Sequence, residues 1–409
     1  MNHGDSLRIP WAIIVSATFM AFAMWTPMFC VPPIEHILKE ELSLTHAQTS
    51  LLYSGPMLAI AAASIPAGLL TDRIGVRKAA GIGAIILAVG SALRATATDP
   101  GSLLAFTFIY GIGLGWVFPN LPKLVSLWAP KHRVGNITSI YSVGLYTGPA
   151  LALALTVPLM LAITGTYQDV FLIWSIPPIA AAVMWWIFVR EPQQHELIQG
   201  NSNNGNTQLR TVFRNRNLWL LSTVALLHFY VFYTWTGWAP TLLMLKGASA
   251  SLAGFIASIT IWASIPIVFF MPKLSSKIGL RKPFLWGPAI GFVVASLLAI
   301  NVGLSFSWLP MLMVGFADAA LFVTLLIMIV ETVDTKQVGI ASGVLWALGH
   351  VGGFIGPLVG GHILDNTGDL RLSLIILAII SAALVGIALR LPETAKHTEN
   401  KNIPKSVQS

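Results

Sequence analysis

Three ionisable side chains stand deep inside apolar sequence: His228, Asp318 and His350. They fall 11, 10 and 12 residues into their apolar runs, counted from Asn217, Trp308 and Val338 respectively. At ~1.5 Å rise per residue that is ~15–18 Å along a helix, the middle of a ~30 Å hydrocarbon core. A carboxylate and two imidazoles at one depth can take up and return a proton, and each transfer changes the affinity of the place for an anion. An ionisable group at that depth is expensive, so its presence reads as function. The competing reading leaves Asp318 bonded to a neighbouring hydroxyl and both histidines neutral on backbone carbonyls.

The elements that position these residues follow from composition. The chain has 409 residues, 55% hydrophobic and 10% charged, against about 25% charged in a soluble domain. Too few charges exist to cover a water-facing surface, so much of that surface faces lipid. Twelve apolar runs are present, at 10–32, 48–70, 79–97, 102–128, 135–162, 168–190, 217–241, 252–274, 283–304, 308–330, 338–363 and 371–391. Backbone polar groups in lipid must bond internally, and unbroken runs of this length do so as helices. The first run is too long for a signal peptide and reads as a span. One cysteine, Cys30, excludes an internal disulfide and a cysteine metal site. No metal cluster, cofactor motif or nucleophile–base pair is visible, which argues against an enzyme.

The organisation is six spans, a polar linker and six spans. Residues 1–190 form the first bundle, 191–216 the linker, 217–391 the second bundle and 392–409 a tail. With both termini cytoplasmic, 20 of the 24 Lys and Arg lie inside, and only Lys39, Arg94, Lys246 and Arg371 lie outside. The net charge of +8 is therefore a topology signal and not a nucleic-acid footprint. The halves repeat: "DRIGVRK" (72–78) aligns with "SKIGLRK" (276–282) and "RVGNITS" (133–139) with "QVGIASG" (337–343), both at an offset of 204. "GLYTGPALA" (144–152) matches "GGFIGPLVG" (352–360) at nearly the same offset. Duplicated halves of equal topology are related by an axis along the membrane normal.

At this point a resemblance appears. Gly68, Asp72, Arg73, Gly75, Arg77 and Lys78 in "GLLTDRIGVRK" are similar to the signature loop between spans two and three of the major facilitator superfamily. The resemblance covers the whole chain. It implies an all-α integral membrane protein of twelve transmembrane helices, built as two pseudo-symmetric six-helix bundles around a cavity that opens alternately to each side. It further implies that spans 1, 4, 7 and 10 line the cavity, that 2, 5, 8 and 11 join the bundles, and that 3, 6, 9 and 12 face lipid. The loop residues would then be a conformational latch, with Asp72 bracing a helix end of the other half. Tyr53, Trp116, Asn120 and Tyr141 become candidate cavity residues. In "HFYVFYTWTGW" (228–238), Phe232 and Trp235 share the face of His228 and suggest an aromatic wall, with an interfacial aromatic belt as the alternative. Pro27, Pro56, Pro119 and Pro122 are expected to kink spans one, two and four.

Lys123, ~32 Å along span four from Ser102, reads as an anion contact at the inner mouth or as a snorkelling lysine. Arg94, toward the outer end of span three, reads as an interfacial anchor, and Glu331 lies at the inner end of span ten.

Two departures bear on function. Thr107 stands near the place of an arginine that proton-driven exporters carry in span four, and Ala150, Leu151 and Ala152 follow Gly148-Pro149 where exporters have Gly-Gly. "PNLPKLVSLWAPKHRVGNITSIYSVG" (119–144) is locally similar to the cyanate porter group. The expectation is a secondary transporter that takes up a small anionic solute with protons by alternating access. It would work as a monomer in the lipid bilayer of a bacterial inner membrane, without cofactor or nucleic acid. The alternative is a proton-driven efflux antiporter for amphipathic compounds.

Overall fold

The computed structural model describes residues 11–128, 134–161, 163, 165–190, 211–334 and 337–395. Side chains are described at these positions except 65, 69, 72, 126, 134–136, 139, 160 and 161. Every regular element among them is helical. We number the spans α1 (Trp11–Glu41), α2 (His46–Ile74), α3 (Val76–Thr96), α4 (Pro100–Val125), α5 (Ile140–Leu159) and α6 (Tyr167–Phe188). The second half holds α7 (Arg216–Leu245), α8 (Ala250–Ile278), α9 (Pro283–Asn301), α10 (Leu304–Thr332), α11 (Val338–Thr367) and α12 (Arg371–Arg390). Eleven of these are long and apolar enough to cross a membrane, and α2 is a continuous helix of 29 residues. Most of the proposed linker (191–210) and tail (396–409) lies outside the described residues.

The helices show where lipid lies. Leu172, Ile176, Ile179, Val183 and Ile187 are exposed along α6 at helical spacing, as are Ile290, Val294 and Leu297 on α9 and Leu372, Ile375 and Ile379 on α12. An outward apolar stripe of this kind needs a hydrocarbon solvent. Helices α1–α6 pack mainly on one another, as do α7–α12. The two sets meet chiefly along α2 with α11 and α5 with α8.

Prolines act unequally. The first span breaks into helices Trp11–Ala23 and Thr26–Phe29, followed by a 3₁₀ turn at Pro32–Ile34 and a last helix Glu35–Glu41. The fourth breaks after Val117 and resumes at Asn120, with Pro119 in the gap. Pro56, by contrast, lies within the unbroken α2, so the kink expected there does not divide the helix.

Arg94 corrects a sequence expectation. Its side chain is 0% exposed, so it is not an interfacial anchor. Nη1 donates to the carbonyl of Pro27 in the broken α1, and the guanidinium carbon stands 4.2 Å from the Phe171 ring centroid and 5.8 Å from that of Tyr110. The break in α1 supplies the acceptor, and the aromatic faces replace part of the cation's hydration.

The repeated loop motif turns at one end of the molecule, which we call the basic end. Gly75 and Gly279, related by the repeat offset of 204, both take positive φ, 88° and 69°. A side chain would be strained at either. The two copies tie their own bundles. Arg77 donates to the Trp186 carbonyl at 3.0 Å, while Trp185 Nε1 donates to the Arg77 carbonyl at 3.0 Å. Arg281 pairs with Glu331 at 3.0 Å and bonds Ser275 at 2.8 Å, and its backbone N–H donates to Glu393 at 2.7 Å. Arg73 and Lys78 are exposed, Gly68 is half-buried, and the Asp72 side chain lies outside the described residues.

Candidate functional site

The site begins with α7, started by Asn215, whose Oδ1 accepts from the N–H groups of Asn217 and Leu218. This cap sets the helix that carries His228. Facing it, α10 surrounds Asp318 with Ala317, Ala319 and Ala320, small residues that let the two helices approach. His228 Nε2 lies 2.9 Å from Asp318 Oδ1, and both residues are buried. A single proton shared across that contact satisfies both atoms. Nδ1 of His228 has no hydrogen-bond partner among the described residues, so the pair keeps one ring nitrogen unused. The rings of Phe229, Phe232 and Phe292 enclose the imidazole at centroid distances of 5.3, 6.4 and 6.0 Å.

His350, on α11, lies 2.6 Å through Nδ1 from the carbonyl of Trp346, one turn back. That bond assigns the N–H to Nδ1 and leaves Nε2 an acceptor. Its ring meets Phe229 at 5.4 Å and, across the seam between the two sets of helices, Phe118 at 5.9 Å.

Asp318 and His350 both face one central cavity of about 70 Å³. The first half of the chain contributes Trp25, Phe29, Phe118 and Tyr146, and the second adds Phe229, Phe232, Tyr233 and Phe322. The wall contains no Lys or Arg among the described residues.

Several expected positions move. Phe232 lines the cavity, but Trp235 does not: its Nε1 donates to Ser296 Oγ of α9 at 3.2 Å, inside the second bundle. Tyr53 sits in the seam, with its hydroxyl 2.7 Å from Thr236 Oγ1. Trp116 packs its Cβ against Gly83 of α3, and Asn120 turns Nδ2 back to the Trp116 carbonyl at 2.7 Å. Tyr141 is buried away from the cavity, and Tyr146, five residues on, takes the expected place. Lys123 is half-buried near the basic end and does not line the cavity. The lining is also shared more widely than spans 1, 4, 7 and 10, because Pro149, Ile261 and His350 come from α5, α8 and α11. Phe118 and Tyr146 flank Pro119 and Gly148-Pro149, and that proximity was the available signal.

The seam between the halves is closed at the end opposite the basic one. There a Cβ on Gly361 of α11 would lie 2.7 Å from the His46 carbonyl of α2, and one on Gly254 of α8 would lie 2.5 Å from the Leu153 carbonyl of α5. At the basic end a Cβ on Gly68 of α2, or on Gly339 or Gly343 of α11, would meet nothing within 4 Å among the described residues.

Comparison with known proteins decides the family. The profile of the Major Facilitator Superfamily matches residues 13–357 and, in a second overlapping match, 246–408. The chain belongs to the Major Facilitator Superfamily. It is 23% identical over 386 residues to an uncharacterized transporter, YycB, of Bacillus subtilis (strain 168), covering 94% of this chain and 93% of that protein. It is 28% identical over 355 residues to a nitrite extrusion protein of the same strain, covering 84% and 85%. Among solved structures, a D-xylose-proton symporter superposes with a TM-score of 0.77 at 16% identity, over 95% of this chain and 99% of that one. This superfamily member is thus a multi-pass membrane transporter of small molecules and not an enzyme.

Proposed function

We propose that this transporter takes up a small anionic solute together with protons, by alternating access. The observation that carries the reading is the buried Asp318–His228 pair, 2.9 Å apart, with Asp318 in the wall of a cavity that has no lysine or arginine lining it among the described residues. An anion entering that cavity meets an ionised carboxylate and no fixed cation. A proton taken up by the pair removes the repulsion and gives the solute a compensating charge. Nδ1 of His228 and Nε2 of His350 are the places where that proton rests, and the hydroxyls of Tyr146 and Tyr233 supply donors for the solute. The kinship with a nitrite extrusion protein supports an anion as cargo. The closed seam at one end and the open space at the other support alternation between two states. The basic end is the cytoplasmic one, in a bacterial inner membrane, and the protein works as a monomer of two bundles, 1–190 and 217–391.

The test uses purified protein in liposomes with an alkaline interior. Nitrite, nitrate and a panel of small carboxylates are offered, after a thermal-shift screen has ranked them. Accumulation above the external concentration, abolished by a protonophore, is the expected result. Equilibration without accumulation for every anion that binds would refute proton coupling.

A further inference from the structure

The closed end of the α2/α11 seam contains an arrangement separate from the cavity. Helix α2 starts at His46, so the N–H groups of its first turn have no partners within the helix. A capping box satisfies the third: Thr45 Oγ1 accepts from Gln48 N–H at 3.2 Å, while Gln48 Oε1 accepts from Thr45 N–H at 2.9 Å. The next N–H, that of Thr49, makes the first regular bond of the helix, to the Thr45 carbonyl at 2.9 Å. The first two are taken by the other half of the molecule. Asp365 of α11 accepts from His46 N–H through Oδ1 at 2.7 Å and from Ala47 N–H through Oδ2 at 2.9 Å.

Two features set this contact apart from an ordinary surface contact. Asp365 stands two residues before the end of its own helix at Thr367, where the helix dipole disfavours an anion, so its favourable field comes from α2. The start of α2 is also held rigidly. His46 Nδ1 lies 2.8 Å from Glu35 Oε1 and its Nε2 lies 2.7 Å from Lys39 Nζ, which ties the turn to α1. The same ring meets Trp238 of α7 at 5.9 Å.

We propose that Asp365 is a state-setting residue: its carboxylate caps the foreign helix α2 only when this end is shut, and so sets the ratio of closed to open transporter. When the seam parts, His46 and Ala47 N–H groups and the carboxylate all return to water. The contact therefore contributes to one state and is absent from the other, the condition for shifting an equilibrium. The inference rests on the alternating-access reading, but not on proton coupling or on the identity of the solute.

The test measures a distance across that end in the full chain. In a Cys30→Ser background, Glu41→Cys and Arg371→Cys place nitroxide labels at exposed sites on opposite halves. Pulsed electron resonance then gives the ratio of short to long separations. Asp365→Asn and Asp365→Ala are expected to raise the long fraction roughly tenfold relative to the short one, after allowance for the exposure of the carboxylate. Asp365→Glu keeps the charge and is expected to restore most of the short distance. Should Asp365→Ala not survive purification, His46→Pro against His46→Ala carries the decision. Both lose the ring, but only proline, well tolerated at a first helical position, also removes the N–H. His46→Pro opening the end further than His46→Ala supports the role. Two wild-type distances that Asp365→Ala and His46→Pro leave unchanged overturn the latch while alternating access stands. A single unmoving distance in wild type and all variants overturns both.

Discussion

Replacing Asp318 by Asn tests the central reading most directly. The substitution preserves shape and can still accept from His228 Nε2 across the 2.9 Å contact, so the fold survives. What disappears is the charge that makes proton uptake at this pair favourable. On the proposed reading, one carboxylate shared with one imidazole, with Nδ1 as the second nitrogen, would carry one exchangeable proton per cycle. With one proton per solute, each pH unit across the membrane supports about tenfold accumulation, because about 1.4 kcal/mol is a factor of ten. Wild-type protein in liposomes is therefore expected to concentrate its anion about tenfold per unit of imposed gradient, with Asp318→Asn reaching only equal concentrations on both sides. Solute exchange between equal pools should persist in the variant, since alternation itself does not need the proton. Asp318→Ala is expected to behave worse, because it leaves buried His228 Nε2 without a partner at about 1–3 kcal/mol. Tenfold accumulation surviving in Asp318→Asn, or in a triple variant that also neutralises His228 and His350, would refute the coupling site.

Three further outcomes are expected. Glu331→Gln removes the carboxylate of a pair whose side chains are only 11% and 13% exposed, and should destabilise the protein by about 3 kcal/mol; thermal unfolding in detergent reads this, and an Arg281→Met, Glu331→Leu double variant should recover most of the loss. Arg94→Ala leaves the Pro27 carbonyl with only the weak Cys30 thiol as donor and empties space between Phe171 and Tyr110, a loss of about 3 kcal/mol, with unchanged thermal stability as the contrary result. Asp72→Asn should lower transport rate by altering the balance of states while leaving solute preference alone; a changed order of preferred anions would contradict a latch role.

Much of the architecture was legible in the chain because lipid leaves few choices. Twelve apolar runs had to be helices, and the repeat offset that pairs Gly75 with Gly279 placed matching turns in the two halves. Depth was legible too, because rise per residue is constant: Asp318 and His228, 90 positions apart, met at the level their counts implied. Direction was not. Tyr53 and Tyr141 are cavity candidates beside the family resemblance and Trp235 is one from the face it shares with His228, yet the rotation of each helix turns them into the seam, a buried place away from the cavity and the interior of the second bundle respectively. Arg94 failed for a related reason. Its place near a span end suggested headgroups, and only the break in α1 created the carbonyl that draws it inward. Asp365 carried no sequence signal, since its partners are backbone N–H groups more than 300 positions away.

By itself the sequence determined the medium, the number and order of the helices, the duplication and the level of the ionisable residues. These follow from backbone hydrogen bonding in hydrocarbon and from a fixed rise per residue, both local properties of a chain. Tertiary structure alone decided which imidazole pairs with Asp318, which aromatic rings enclose the cavity, and which end of the α2/α11 seam is shut. Those choices depend on how helices rotate and cross, and packing between distant segments sets that rotation.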